Sequence, residues 1–266
     1  MSPRARWNDL GERFVSGVVL VAVGLAAVWI GGFTFHVLIA LVSGVMIWEL
    51  VGMLDSDRVR TPRVLGAAAG IAVLVAGEVP ATTAMPLLLA PAMLGFGQMQ
   101  RGGVTYAVFA ALILLAGYGM MAHRDDFGLI WMLWLVLVVV ATDIAGYFAG
   151  RMIGGPKFWP RVSPKKTWSG TVAGWIAAGA LGAVFAALTE AHYGLVPLSI
   201  AISMASQLGD IAESAIKRRA GVKDSSNLIP GHGGLFDRFD GMLGAALFIL
   251  LAGQIVDFPP GLAGPG

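Results

Sequence analysis

The stretch Ser203–Asp240, SMASQLGDIAESAIKRRAGVKDSSNLIPGHGGLFDRFD, decides how the rest of the chain is read. It begins inside an apolar segment long enough to cross a bilayer. Within that segment Ser203, Ser206, Gln207, Asp210, Glu213, Ser214 and Lys217 recur at steps of three and four residues. This period puts them on one face of a helix. At Lys217, Arg218 and Arg219 the segment passes into a loop dense in charge and glycine, with His232 in its middle. A polar face running out of a membrane helix into such a loop predicts an all-α, polytopic integral membrane protein with its chemistry at the bilayer surface.

Composition agrees. The 266 residues are 57% hydrophobic and 13% charged, against about 25% charged in a soluble domain. Thirty-seven glycines fit a membrane bundle, because small residues let helices approach closely. The spacings Gly66/Gly70, Gly146/Gly150 and Gly170/Gly174 are read as packing sites. The chain has no cysteine, which excludes disulfides, thiolate catalysis and cysteine metal sites.

A spanning helix needs roughly 20 mostly apolar residues. Candidate spans are 14–30, 33–53, 64–79, 82–97, 104–122, 129–149, 169–188, 195–218 and 241–256. This predicts about nine transmembrane helices, or seven plus a re-entrant hairpin at 64–97, where Pro86 and Pro91 interrupt the run. Residues 1–128 form an N-terminal frame, 129–256 a catalytic region with two cytoplasmic loops, and 257–266 a disordered tail. With these spans, every one of the 18 lysines and arginines except Arg124 falls on one side. The positive-inside rule makes that side cytoplasmic, together with the N-terminus, as expected of a multi-pass protein of the cell inner (plasma) membrane.

Two apolar helices carry an acid shortly before a basic loop. Asp143 lies eight residues before Arg151, and Asp210 seven before Lys217. Both acids are therefore about 11–12 Å below the loop, at 1.5 Å per residue. An ionised side chain in the bilayer is costly, so two at matching depth predict a shared polar cavity. The loop GRMIGGPKFWPRVSPKKTWSG carries Arg151, Lys157, Arg161, Lys165 and Lys166, a cluster suited to an anion. No Walker A pattern precedes these lysines. In the second loop Asp224, Asp237 and Asp240 offer hard oxygen ligands for Mg²⁺. Gly231, Gly233 and Gly234 let the backbone approach a ligand. A transporter is the rival reading. It requires a polar path to the far side, whereas Leu195–Ile202 is apolar apart from Ser199.

The run Ser214-x-x-Lys217-Arg218, Lys223-Asp224-Ser225-Ser226, Pro230-Gly231-His232-Gly233-Gly234 and Asp237-Arg238-x-Asp240 resembles the signature of the phosphatidate cytidylyltransferases, or CDP-diacylglycerol synthases. Asp143-x-x-Gly146-Tyr147-x-x-Gly150-Arg151, Ser163-Pro164-Lys165-Lys166-Thr167-Trp168 and Gln207-Leu208-Gly209-Asp210 agree with it. The likeness is close over 143–241, and 1–128 match only as an apolar frame. Ser169 stands where a glutamate is usual, and Gly241 where a serine is usual.

The resemblance implies transfer of the cytidylyl group of CTP to phosphatidic acid with Mg²⁺, in a homodimer, with no nucleic acid partner. On this basis Asp210 and Asp237 are the expected metal ligands and Asp240 a further candidate. Lys217 is expected among the catalytic residues, and Lys165, Lys166, Lys217 and Arg218 on phosphates. Ser214 supports the site from the helix turn below, and Asp143 orients the cavity. Lys223, His232, Gly233 and Arg238 are expected to contact substrate.

Overall fold

The computed structural model describes residues 3–55 and 61–260, with side chains from Phe14 onward. The basic residues at 4, 6, 13, 58 and 60 lie outside the described side chains. In chain order the elements are α1 (Pro3–Ile30), α2 (Gly32–Leu54), α3 (Thr61–Ala76), α4 (Ala81–Gln98) and α5 (Gly103–Met152). A short antiparallel hairpin follows, β1 (Lys157–Trp159) with β2 (Ser163–Thr167). The chain ends in α6 (Trp168–Leu188), α7 (Leu195–Arg219) and α8 (Phe236–Ala252).

The architecture is helical as expected, but the span count is corrected. Among the described residues four helices, α2, α5, α6 and α7, are long and apolar enough to cross a membrane, not about nine. The alternative of seven plus a hairpin falls with it. The reasons are local. The apolar parts Phe14–Ile30 of α1 and Thr61–Ala76 of α3 are too short; 16 residues rise only about 24 Å. Helix α4 carries Pro86 and Pro91, and each removes a backbone hydrogen bond. Helix α8 has 17 residues and spends its first turn on charge. Segments 104–122 and 129–149 belong to a single 50-residue element, broken at Gly128, where φ is 82° and ψ −169°. That conformation is open to glycine and strained for other residues.

Two compact units divide the chain, Met1–Ala122 with Arg219–Phe239, and His123–Arg218 with Asp240–Gly266. In the first, α2 and α3 meet on glycine. A Cβ at Gly44 would lie 2.8 Å from the Gly66 carbonyl oxygen, and one at Gly66 would lie 2.7 Å from that of Gly44. The 64–79 glycines are thus used in packing.

In the second unit Gly146 of α5 faces Gly170 of α6, where an added Cβ at Gly170 would lie 2.5 Å from the Gly146 carbonyl oxygen. Buried Trp134 donates to Ser199 Oγ at 3.1 Å, and Thr142 donates to Ser203 Oγ at 2.8 Å. Ser199 and Ser203 of α7 are therefore partners of α5. Of the expected tail, residues 261–266 lie outside the described residues. Phe258 lies within them and packs its ring against His123, Phe127, Trp131 and Trp134.

Helices α7 and α8 approach backbone to backbone. A Cβ at Gly244 would clash with the Ala205 carbonyl oxygen, and one at Gly209 with that of Asp240. Neither neighbour is a side-chain end that could swing away. The Gly244→Ala variant is expected to lose about 1–3 kcal/mol, the usual cost of overpacking. A lower thermal midpoint in detergent, read by tryptophan fluorescence, checks it.

Candidate active site

A cavity of about 570 Å³ opens in the second unit, lined by Asp143, Arg151, Lys165, Lys166, Gln207 and Asp210 among others. Three cations and two acids face it from three elements. Helix α5 supplies Asp143 and Arg151, β2 the two lysines, and α7 Gln207 and Asp210. The hairpin ends where Thr167 Oγ1 accepts from Gly170 N at 3.2 Å, which caps α6. This cap satisfies one of the orphan donors of a helix N-terminus. It also ties the lysine-bearing strand to a spanning helix. Gln207 is fixed from α6, accepting from Trp175 Nε1 at 2.9 Å and donating to the Thr171 carbonyl at 3.2 Å.

The closest charged contact is Lys166 Nζ to Asp210 Oδ2 at 2.5 Å, with both side chains about a quarter exposed. Ser214, one turn on, donates to Asp210 Oδ1 at 3.3 Å. Asp240, at the start of α8, accepts from its neighbour Gly241 N at 2.8 Å. Burial pushes its carboxyl up to about 7, and the Asp210 charge adds to the rise while the Gly241 hydrogen bond opposes it. Like charges close enough to resist joint ionisation mark a place that favours a cation. Lys217 is paired with buried Glu213 at 2.6 Å, and its charge also opposes the rise at Asp240.

The signature loop lies in the first unit. Asp237 Oδ2 accepts from Ser225 N at 2.9 Å, Ser225 Oγ at 2.9 Å and Gly234 N at 2.8 Å. His232 Nδ1 is 2.9 Å from Ser16 Oγ of α1, and its carbonyl accepts from Arg238 Nε at 3.0 Å. Gly233 adopts φ 84°, and a Cβ there would lie 2.7 Å from Asp237 Oδ2. The loop tolerates no side chain at that point. Lys223 and Asp224 are exposed.

Of the expected site residues, Asp143, Lys165, Lys166 and Asp210 share the cavity, and Ser214 braces Asp210. Arg218 is exposed and belongs with Lys217 and Asp240 to the same unit, while Lys223, His232, Gly233, Asp237 and Arg238 belong to the first. Among the described residues no group of three or more His, Asp or Glu side chains is arranged to hold a metal ion alone. Mg²⁺ does not need one, since it is usually bound by one or two carboxylates together with substrate phosphates.

Sequence reasoning missed Glu49. This α2 carboxylate is 2% exposed and contacts the signature loop at four donors. The rule that singled out Asp143 and Asp210, an acid inside an apolar helix, would have found it.

The chain matches the model of the Cytidylyltransferase family over residues 11–256. It is 37% identical to a phosphatidate cytidylyltransferase of Brucella suis over 264 residues, covering 95% of this chain and 96% of the relative. It is 32% identical to the Bacillus subtilis enzyme of that name over 264 residues, covering 92% and 98%. A shorter match of 40% identity over 124 residues links it to the Helicobacter pylori enzyme, covering 46% of each chain. A match spanning both the α2 carboxylate and the loop it holds, at this identity and over nearly the full length of both proteins, makes the chain a member of the phosphatidate cytidylyltransferase family.

Proposed function

We infer that this chain transfers the cytidylyl group of CTP to phosphatidic acid, giving CDP-diacylglycerol and pyrophosphate. It is a nucleotidyltransferase of phospholipid biosynthesis. The family assignment carries the reaction, and the observation that supports the site is the cavity with Lys166 against Asp210. An oxygen of the lipid phosphate attacks the α-phosphorus of CTP in line, and the bond to the β-phosphate breaks as pyrophosphate leaves. A phosphate monoester is already anionic near neutral pH, so no strong general base is needed. His232 accordingly serves as a loop and contact residue.

The cationic side chains do most of the binding. Lys165 and Arg151 meet incoming phosphate oxygens at the cavity. Lys166 is held by Asp210 until a polyanion competes for it. Gln207 and Asp143 shape the polar wall, which keeps the acyl chains of the lipid away from the charge. Arg218, Lys223 and Arg238 add positive potential that raises the local concentration of the anionic substrates.

Mg²⁺ fits this donor set through the Asp210 carboxylate, a hard oxygen donor that lines the cavity. Of the two carboxylates expected to hold it, Asp210 is the one that lines this cavity. When bound, such an ion neutralises triphosphate charge and stabilises the leaving pyrophosphate. The reaction belongs at the cytoplasmic face of the inner membrane, where soluble CTP meets a lipid-anchored acceptor. A homodimer is part of the same reading and is checked by light scattering in detergent.

The test is direct. Protein purified in detergent, given phosphatidic acid, Mg²⁺ and CTP labelled in the cytidine, is expected to move label into the organic phase. Chelation by EDTA is expected to stop the transfer, and added Mg²⁺ to restore it. Absence of transfer with Mg²⁺ present would overturn the reading.

A further inference from the structure

The four donors that meet Glu49 come from residues far along the chain. Oε1 accepts from Ser226 Oγ at 2.6 Å and Leu235 N at 3.0 Å, and Oε2 from Phe236 N at 2.7 Å and Ser225 Oγ at 3.3 Å. Leu235 and Phe236 open α8, so their amides are among those a helix leaves without intrahelical partners. The helix dipole favours a negative charge at that point. Glu49 therefore acts as an N-terminal cap delivered from another helix, and its donors offset the cost of burying the charge.

The same carboxylate is coupled to Asp237 through one hydroxyl. Ser225 Oγ has a single proton and lies within reach of both acids, at 2.9 Å from Asp237 Oδ2 and 3.3 Å from Glu49 Oε2. The shorter contact takes the proton more often, so Ser225 chiefly holds Asp237, and Glu49 is left to its backbone amides and Ser226. Gly234 closes the arrangement. A Cβ there would collide with Ser225 Oγ and Glu49 Oε1, so a carboxylate fills the space a side chain would take. One buried acid thus ties both ends of the segment 225–236 to α2, and Asp237 is the next residue.

We propose that Glu49 is a positioning residue for the signature loop, holding residues 225–236 and with them the Asp237 carboxylate in working geometry before substrate arrives. It touches no substrate. Its effect on turnover rests on the function proposed above, and comes through preorganisation, since a displacement of about 1 Å at a reacting group costs roughly a hundredfold.

The Glu49→Gln change isolates the idea. A carboxamide retains one acceptor oxygen, and its NH₂ must face either Leu235 N or Phe236 N. A serine hydroxyl can rotate away from an NH₂, but a backbone amide cannot. Hydrogen–deuterium exchange of the full-length protein in detergent is expected to show the 225–236 amides exchanging at least tenfold faster in E49Q, with α6 unchanged. In the CTP assay kcat is expected to fall about a hundredfold, with KM for phosphatidic acid unchanged. Glu49→Asp keeps the charge one methylene short and is expected to recover part of both losses.

Wild-type exchange in the loop of E49Q, or wild-type kcat, would overturn the proposal. So would equal acceleration of exchange in α6, since that marks a general loss of structure. Should E49Q fail to accumulate, Glu49→Asp and Ser226→Ala decide: faster loop exchange in both supports the proposal, and normal exchange in both overturns it. If wild-type protein transfers no label from CTP, the proposed reaction falls, while the exchange result still reports on Glu49.

Discussion

The Asp210→Asn variant is expected to lose turnover by about a thousandfold or more, at the upper end of what removal of one electrostatic stabiliser costs. Two effects combine. The change removes a carboxylate from the cavity proposed to hold a cation and a triphosphate, and it strips Lys166 of its partner at 2.5 Å. The one amide oxygen can accept from Lys166 in place of Oδ2, leaving the NH₂ toward the Ser214 hydroxyl, which can rotate to accept, but the amide no longer balances the lysine charge. Freed of that balance, Lys166 binds phosphate more tightly in the ground state, which does nothing for the transition state. The pair is about a quarter exposed, so the stability loss is expected to be about 1 kcal/mol, well below that of a fully buried pair. The variant should therefore insert and purify as wild type does. Initial rates of label transfer and the elution volume in detergent check both halves, and full activity would mean that Asp210 holds no metal.

The second large effect is expected at Asp237, where two substitutions separate charge from scaffolding. Its Oδ2 accepts three hydrogen bonds within the loop. Asparagine keeps a carbonyl oxygen for those donors and loses the charge, whereas alanine loses both. Asp237→Asn is expected to lower kcat by about 10²–10³-fold while the 225–236 amides keep their protection. Asp237→Ala is expected to lose turnover and protection together, because unpaired buried amides cost about 1–3 kcal/mol each. An active Asp237→Asn with an inactive Asp237→Ala would assign this residue to the loop and not to the metal.

These two acids also show where a linear reading stops. Asp210 stood out in the sequence because a charge inside an apolar helix is costly and requires a reason. The lysines of the hairpin stood out by density. The contact between Lys166 and Asp210 did not, because the residues are in different elements and nothing in their spacing encodes a 2.5 Å approach. The pair of Lys217 with Glu213 differs, because a spacing of four residues already puts the two on one helix face. Counting spans failed for a different reason. Hydropathy sees apolar runs, but it weighs neither the two prolines in α4 nor the charged first turn of α8.

What the sequence determined by itself is the class of the protein and its family, since both rest on local quantities. Fifty-seven per cent hydrophobic residues leave no polar exterior for a soluble domain, and a signature loop is legible because its residues are neighbours in the chain. Only the tertiary structure decided what holds that loop. Glu49 accepts from partners 176 to 187 residues away, so no period or motif could connect them. The requirement that created the contact is physical and three-dimensional: a helix N-terminus placed in a buried setting must find an acceptor for its amides. The carboxylate of α2 is the group the fold brings there.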